Sequence, residues 1–178
     1  MPDRSTGNSS DSRLDGALAD PLEEVVDPEE FTPRLLALLS NALVWRESRE
    51  LRRSFNLGTN EWRILSSIAS RPGMSATEVS EFLVMNKATI SKSMATLVQR
   101  GLILLSAGPR GSRPMYLTAA GAEMHRRMLP ISVRGQDIIR EGLTADDAAA
   151  LNALLRRMLS SLRAVESLES EERSLTAG

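Results

Sequence analysis

From Asn86 to Arg100 the chain reads Asn-Lys-Ala-Thr-Ile-Ser-Lys-Ser-Met-Ala-Thr-Leu-Val-Gln-Arg, with no carboxylate among the fifteen residues. Ile90, Met94 and Leu97 recur at helical spacing, which turns Ala88, Thr89, Lys92, Ala95, Thr96 and Gln99 to the opposite face. Asn86 and Lys87 protrude from the first turn, and Ser91 follows one turn on. Asn and Lys carry donors and acceptors that match purine edges in a major groove, and short Ala and Thr side chains let a backbone come close. A solvated helix ordinarily mixes Glu with its Lys. This one presents a face from which nothing repels phosphate.

Two further groups have the chemistry of a polyanion surface. Gly108-Pro109-Arg110-Gly111-Ser112-Arg113-Pro114 is a turn-rich tip carrying Arg110 and Arg113, and a loop arginine suits the negative potential of a narrow minor groove. Ser75 and Thr77 begin a helix, where hydroxyls and free N–H groups can meet a phosphate, although Ser75 is first of all a cap. Catalytic groupings are missing: no Ser/His/Asp set, phosphate loop or paired-carboxylate motif stands out. His125 is the single histidine and cysteine is absent, so thiolate metal sites, disulfides and a histidine metal cluster are excluded. Neither a cofactor nor a metal is expected.

The elements that must position these groups follow from caps and breakers. Residues 1–26 are polar and acidic and read as a disordered arm. Asp27-Pro28-Glu29-Glu30 starts a long first helix, apolar almost all round in its first half, which predicts contact with a second surface over residues 27–56. A second helix begins at Thr59 or Asn60 with Trp62, Leu65, Ile68 and Ala69 inward. The capping box Ser75-Ala76-Thr77-Glu78 opens a third, with Val79, Phe82 and Leu83 as its apolar stripe. Asn86 caps the fourth and Gly101 closes it. Leu102–Ser106 and Met115–Leu117 are strands flanking the arginine loop. Thr118 caps a fifth helix that Pro130 should kink or interrupt. Thr144 and Asp147 start a sixth, whose Leu151, Leu155, Met158, Leu162 and Val165 form a heptad seam. The tail over 169–178 is expected to fray. The fold class is mainly α with a small β-wing: a winged helix-turn-helix lobe over 57–121, with terminal helices, the latter at 122–168, forming a dimerisation region.

Net charge is −1, yet residues 1–30 hold nine acidic against two basic side chains, while residues 86–127 hold seven basic against Glu123 alone. The local positive field is the better guide to a partner. The chain shows neither a signal peptide nor an apolar run of spanning length, so a cytoplasmic protein without membrane contact is expected.

On Leu57-Gly58, Glu61-Trp62-Arg63-Ile64-Leu65, Ser75-Ala76-Thr77-Glu78-Val79, Asn86-Lys87-Ala88-Thr89-Ile90-Ser91-Lys92, Leu97 to Ile103 and Leu117-Thr118-Ala119-Ala120-Gly121, the sequence resembles the bacterial MarR (multiple antibiotic resistance) regulators. The likeness runs over about residues 31–168, most specifically 57–121. It implies a homodimer joined by the first, fifth and sixth helices on a palindromic operator, and repression relieved by a small, often aromatic, effector. Trp45, Arg49 and Trp62 are the candidate effector residues; alternatively both tryptophans are core and Arg49 is a surface residue. The chain departs from the pattern at Val84, where family members commonly have Gly. Because Val is costly at positive φ, the turn is expected to take another geometry. The wing also lacks the usual Asp that braces its arginine. A competing reading is a winged-helix module that binds protein rather than DNA.

Overall fold

The computed structural model describes residues 22–176. Six α-helices and two short strands follow in the order α1 (Thr32–Phe55), α2 (Thr59–Ser70), α3 (Ala76–Leu83), α4 (Lys87–Gln99), β1 (Ile103–Leu105), β2 (Met115–Leu117), α5 (Ala119–Glu141) and α6 (Ala145–Thr176), with one 3₁₀ turn at Pro109–Gly111. This is the winged helix-turn-helix expected from the sequence.

Contacts separate the stretch up to Ser40 from a unit that begins at Asn41. In the first stretch Asp27 accepts from the Glu29 N–H through Oδ1 at 2.9 Å and from the Phe31 N–H through its carbonyl at 3.0 Å. Asp27 therefore caps a single turn, and α1 starts five residues later than the sequence reading has it. Pro33 fits the delay: it has no N–H to bond back into an earlier turn, and it sits in the first turn of α1, where that N–H would have no partner. Residues 1–21, most of the expected acidic arm, lie outside the described residues, and Leu22 to Val26 have no regular structure.

In the unit from Asn41 onward the core is built by Leu51 of α1, Ile64, Leu65 and Ile68 of α2, Val79, Ile90, Leu97, Ile103, Met115 and Met128. Each buried aliphatic side chain stabilises the fold by about 1.5–3 kcal/mol. The expected faces shift in detail: Ile64 rather than Ala69 is buried, and Phe82 is exposed beneath the Arg71 guanidinium, 4.4 Å from the ring centroid. The α3 stripe accordingly narrows to Val79 and half-buried Leu83, since an eight-residue helix has room for one inward row.

β1 and β2 pair antiparallel with Ile103 opposite Leu117 and Leu105 opposite Met115. Met115 also bonds outward, its N–H to Met74 O at 2.9 Å and its carbonyl to the Gly73 N–H at 2.8 Å, so the α2–α3 connection borders the wing. Thr118 caps α5 by accepting from the Gly121 N–H at 2.9 Å and donates to Gly101 O at 2.7 Å. At Gly121 a Cβ would overlap the carbonyl oxygen of Leu102, so only glycine lets α5 start here. α5 runs through Pro130 as one helix, so of the kink or interruption expected there the interruption is absent. The loss of one N–H bond there is tolerated inside a helix of 23 residues anchored on both sides, by buried Met128 and half-buried Ile131.

α6 is opened by a Thr144–Asp147 capping box and continues to Thr176, through most of the tail expected to fray. Glu169, Glu171, Glu172, Arg173 and Leu175 favour a helix in that stretch, and no Gly or Pro interrupts it before Gly178. Among the described residues no helix is long and apolar enough to cross a membrane.

Candidate nucleic-acid interface

The helix-turn-helix is fixed by its caps. Ser75 Oγ accepts from the Glu78 N–H at 3.3 Å, while the Ser75 N–H and hydroxyl both donate to Glu78 Oε2 at 2.7 Å. Those bonds, the backbone one foremost, hold the Glu78 carboxyl below its ordinary value. The hydroxyl and N–H of Ser75 are thus spent on Glu78. At the same helix start Thr77 stays exposed, and N–H groups of the first turn have no intrahelical acceptor.

Val84 joins α3 to α4 with φ 51° and ψ 50°, the left-handed region. The expectation of another turn geometry is corrected: the left-handed turn is kept with a β-branched residue in it. Its N–H bonds back to Glu81 O and the next N–H, of Met85, to Ser80 O at 3.0 Å, while Ser80 Oγ donates to Met85 O at 2.5 Å. Those bonds hold the left-handed backbone, and Val84 bears strain of about 1–2 kcal/mol.

Asn86 then caps α4, Oδ1 accepting from the Thr89 N–H at 2.8 Å, and its NH₂ is not used in the cap. Asn86, Lys87, Ala88, Ser91 and Lys92 are exposed and Thr89 is half-buried. The first two turns of α4 therefore present Asn86, Lys87, Ala88, Ser91 and Lys92 outward together. Ser93, between Lys92 and Met94, is buried and faces the core.

The wing tip is closed by backbone bonds from Ser106 N to Pro114 O, Gly108 N to Ser112 O and Ser112 N to Pro109 O, each 2.9–3.0 Å. Arg113 is exposed beyond the turn. Arg110 lies in the 3₁₀ turn, and its side chain is outside the described residues. Arg126 pairs with Glu123, and Arg127 covers the Phe55 ring at 5.2 Å, so both are occupied on the surface of α5.

The candidate effector residues are not brought to one pocket wall. Trp62 is buried, stacked on His125 with ring centroids 5.0 Å apart, and its indole N–H donates to Ser132 Oγ at 3.0 Å. Ser132 donates in turn to Glu47 Oε1 at 2.7 Å. Burial lowers the His125 pKa from its ordinary 6.5. Trp45 is 67% exposed with the Arg49 guanidinium 4.8 Å above its ring.

Residues missed in the sequence join α4 to the α1–α2 connection. Glu61 Oε1 accepts from Ser93 Oγ at 2.6 Å and Oε2 from the Gly58 N–H at 2.8 Å. Arg100 donates to Phe55 O at 2.9 Å and Asn56 O at 3.2 Å. Glu61 sits three residues after Gly58 and could be read as half a capping box; nothing local signals Arg100.

Residues 55–113 match a family model described as the MarR family. The transcriptional regulator HosA of Escherichia coli O127:H6 is 26% identical over 102 residues, covering 56% of this chain and 76% of HosA. A MarR family transcriptional regulator from Silicibacter pomeroyi superposes with a TM-score of 0.71 at 24% identity, over 78% of this chain and 95% of the other. The S. aureus MepR–DNA complex gives a TM-score of 0.68 at 18% identity, over 76% of this chain and 99% of MepR. The winged lobe thus matches the MarR family in sequence over residues 55–113, and the wider chain shares the fold of solved MarR-family regulators.

Proposed function

We propose that the protein is a homodimeric, sequence-specific repressor that reads a palindromic duplex operator. The observation that carries this reading is the acid-free outer face of α4, with Asn86, Lys87, Ser91 and Lys92 exposed together. α4 lies in the major groove, where Asn86 and Lys87 reach base edges and Ala88 and Thr89 allow close approach. Thr77 meets a phosphate at the start of α3, Ser75 serving as its cap. Arg113, with Arg110, reaches the backbone or the minor groove beside the wing. MepR, whose fold this chain shares, was crystallised with DNA, which supports the assignment.

The second copy covers the exposed leucines of α6, and two recognition helices on one face of a duplex put the half-sites about one turn apart. If each subunit neutralises about four phosphates, log affinity falls against log salt with a slope of roughly −7. The test is selection of duplexes from a random pool, then titration of the selected duplex over a range of salt with wild type, Lys92→Ala and Arg113→Ala. Unchanged affinity in both variants at physiological salt would contradict the assigned surface. An effector carrying an aromatic ring and a carboxylate fits the exposed Trp45 beside Arg49, and Trp62 takes no part. Trp45 fluorescence titrated with small aromatic acids tests that part, and a flat response with no DNA release would remove it.

A further inference from the structure

Two contacts tie α4 to the junction of α1 and α2, and neither involves the face assigned to DNA. At the middle of α4, the buried Ser93 hydroxyl donates to Glu61 Oε1 at 2.6 Å, while the same carboxylate holds the Gly58 N–H at 2.8 Å. At its end, Arg100 donates to the Phe55 and Asn56 carbonyls at 2.9 and 3.2 Å. These carbonyls close α1, where a helix lacks donors and carries partial negative charge, so a guanidinium satisfies both needs. Arg100 has no carboxylate partner among the described ion pairs.

The apolar contacts of Ile90 and Leu97 hold α4 to the core, but burial alone is non-directional. The hydrogen bonds at Ser93 and Arg100 are directional, and both refer α4 to residues 55–61. Base-edge hydrogen bonds demand a fixed helix orientation, because they weaken steeply off their geometry.

We propose that Glu61 and Arg100 are positioning residues for DNA recognition, setting the angle at which α4 meets the duplex by clamping it to the α1–α2 junction. The inference rests on the DNA-reading function above.

The probe is a duplex selected by the wild-type protein, set against a scrambled duplex of equal length. Arg100→Gln and Ser93→Ala each lower the ratio of the two affinities about tenfold, the scale of one lost base contact. The salt slope and the affinity for the scrambled duplex stay as in wild type. Arg100→Lys, which keeps the charge and a donor, restores part of the ratio. An equal loss on both duplexes, with the slope smaller by about one, would make Arg100 a phosphate contact and overturn the proposal. An unchanged ratio in the folded variants would overturn it too. Should the wild type select no duplex, the functional reading falls by itself, and amide exchange decides the clamp. Faster exchange of α4 amides in Arg100→Gln at unchanged global stability supports it, and wild-type exchange rejects it.

Discussion

The winged lobe and α6 treat their apolar residues in opposite ways. Every fully buried apolar side chain among the described residues lies between Leu51 and Met128, whereas Leu154, Met158, Leu159, Leu162, Val165 and Leu168 of α6 are all exposed. The lobe closes its core with Leu51 of α1 and Met128 of α5, which together hold α4 in place. α6 is capped and regular, yet leaves leucines on more than one face in water, a state that association relieves. On the proposed reading, recognition is built into one chain, while the spacing of two recognition helices is left to a second copy.

The contrast breaks most severely at Gly121. Alanine ordinarily improves a helix, but here its Cβ would overlap the Leu102 carbonyl oxygen, so Gly121→Ala is expected to destabilise the lobe by about 3 kcal/mol or more. Chemical denaturation measures it. A more stable variant would mean that α5 does not press on the wing as described. Leu162→Glu attacks the other side: it should split the dimer while leaving the lobe folded, seen as halved mass in sedimentation with near-wild-type helix content. Full mass retained in the variant would show that the seam on α6 is not the joining surface.

Val84→Gly sharpens the account of the turn. The side chain is 65% exposed and its backbone left-handed, so relief of strain outweighs the little burial lost, and stability should rise by about 1 kcal/mol. A loss of stability would mean that the valine is held by packing. The smallest effect is at His125. Its folded pKa is depressed by burial, so the stability it contributes is present above 6.5 and is lost as pH falls through that value toward the folded one. His125→Phe should flatten the thermal midpoint between pH 7 and 5 relative to wild type, pH values chosen to bracket the ordinary histidine range of about 6.5. Glu78 and Asp147 titrate below this window, their pKa values being lowered from 4.5 and 3.8 by bonds from Ser75 and Thr144.

What the sequence made legible was local. Ser75 with Glu78, Asn86 with Thr89, Thr118 with Gly121 and Thr144 with Asp147 are all bonds across three residues, and helix starts follow from them. The acid-free face of α4 was equally readable, since one helix period defines it. What stayed hidden crosses the chain: Ser93 to Glu61 spans 32 residues and Trp62 to Ser132 spans 70. Spacing along a helix cannot show that Ser93 turns inward to a carboxylate while Ser91 remains outside. Nor could it show that Trp62 is committed to the core while Trp45 stays at the surface. The turn at Val84 is not legible from residue preference, because the Ser80–Met85 bonds that hold its left-handed geometry do not show in the residue types.

The central claim is that the outer face of α4 and the wing read duplex DNA. The most direct measurement is the affinity of the purified protein for a selected duplex, in competition with heparin, across a range of salt. The account predicts a clear preference for the selected duplex, a slope near −7, and weaker binding by Lys92→Ala. Equal affinity for the duplex and heparin, untouched by Lys92→Ala, would contradict it.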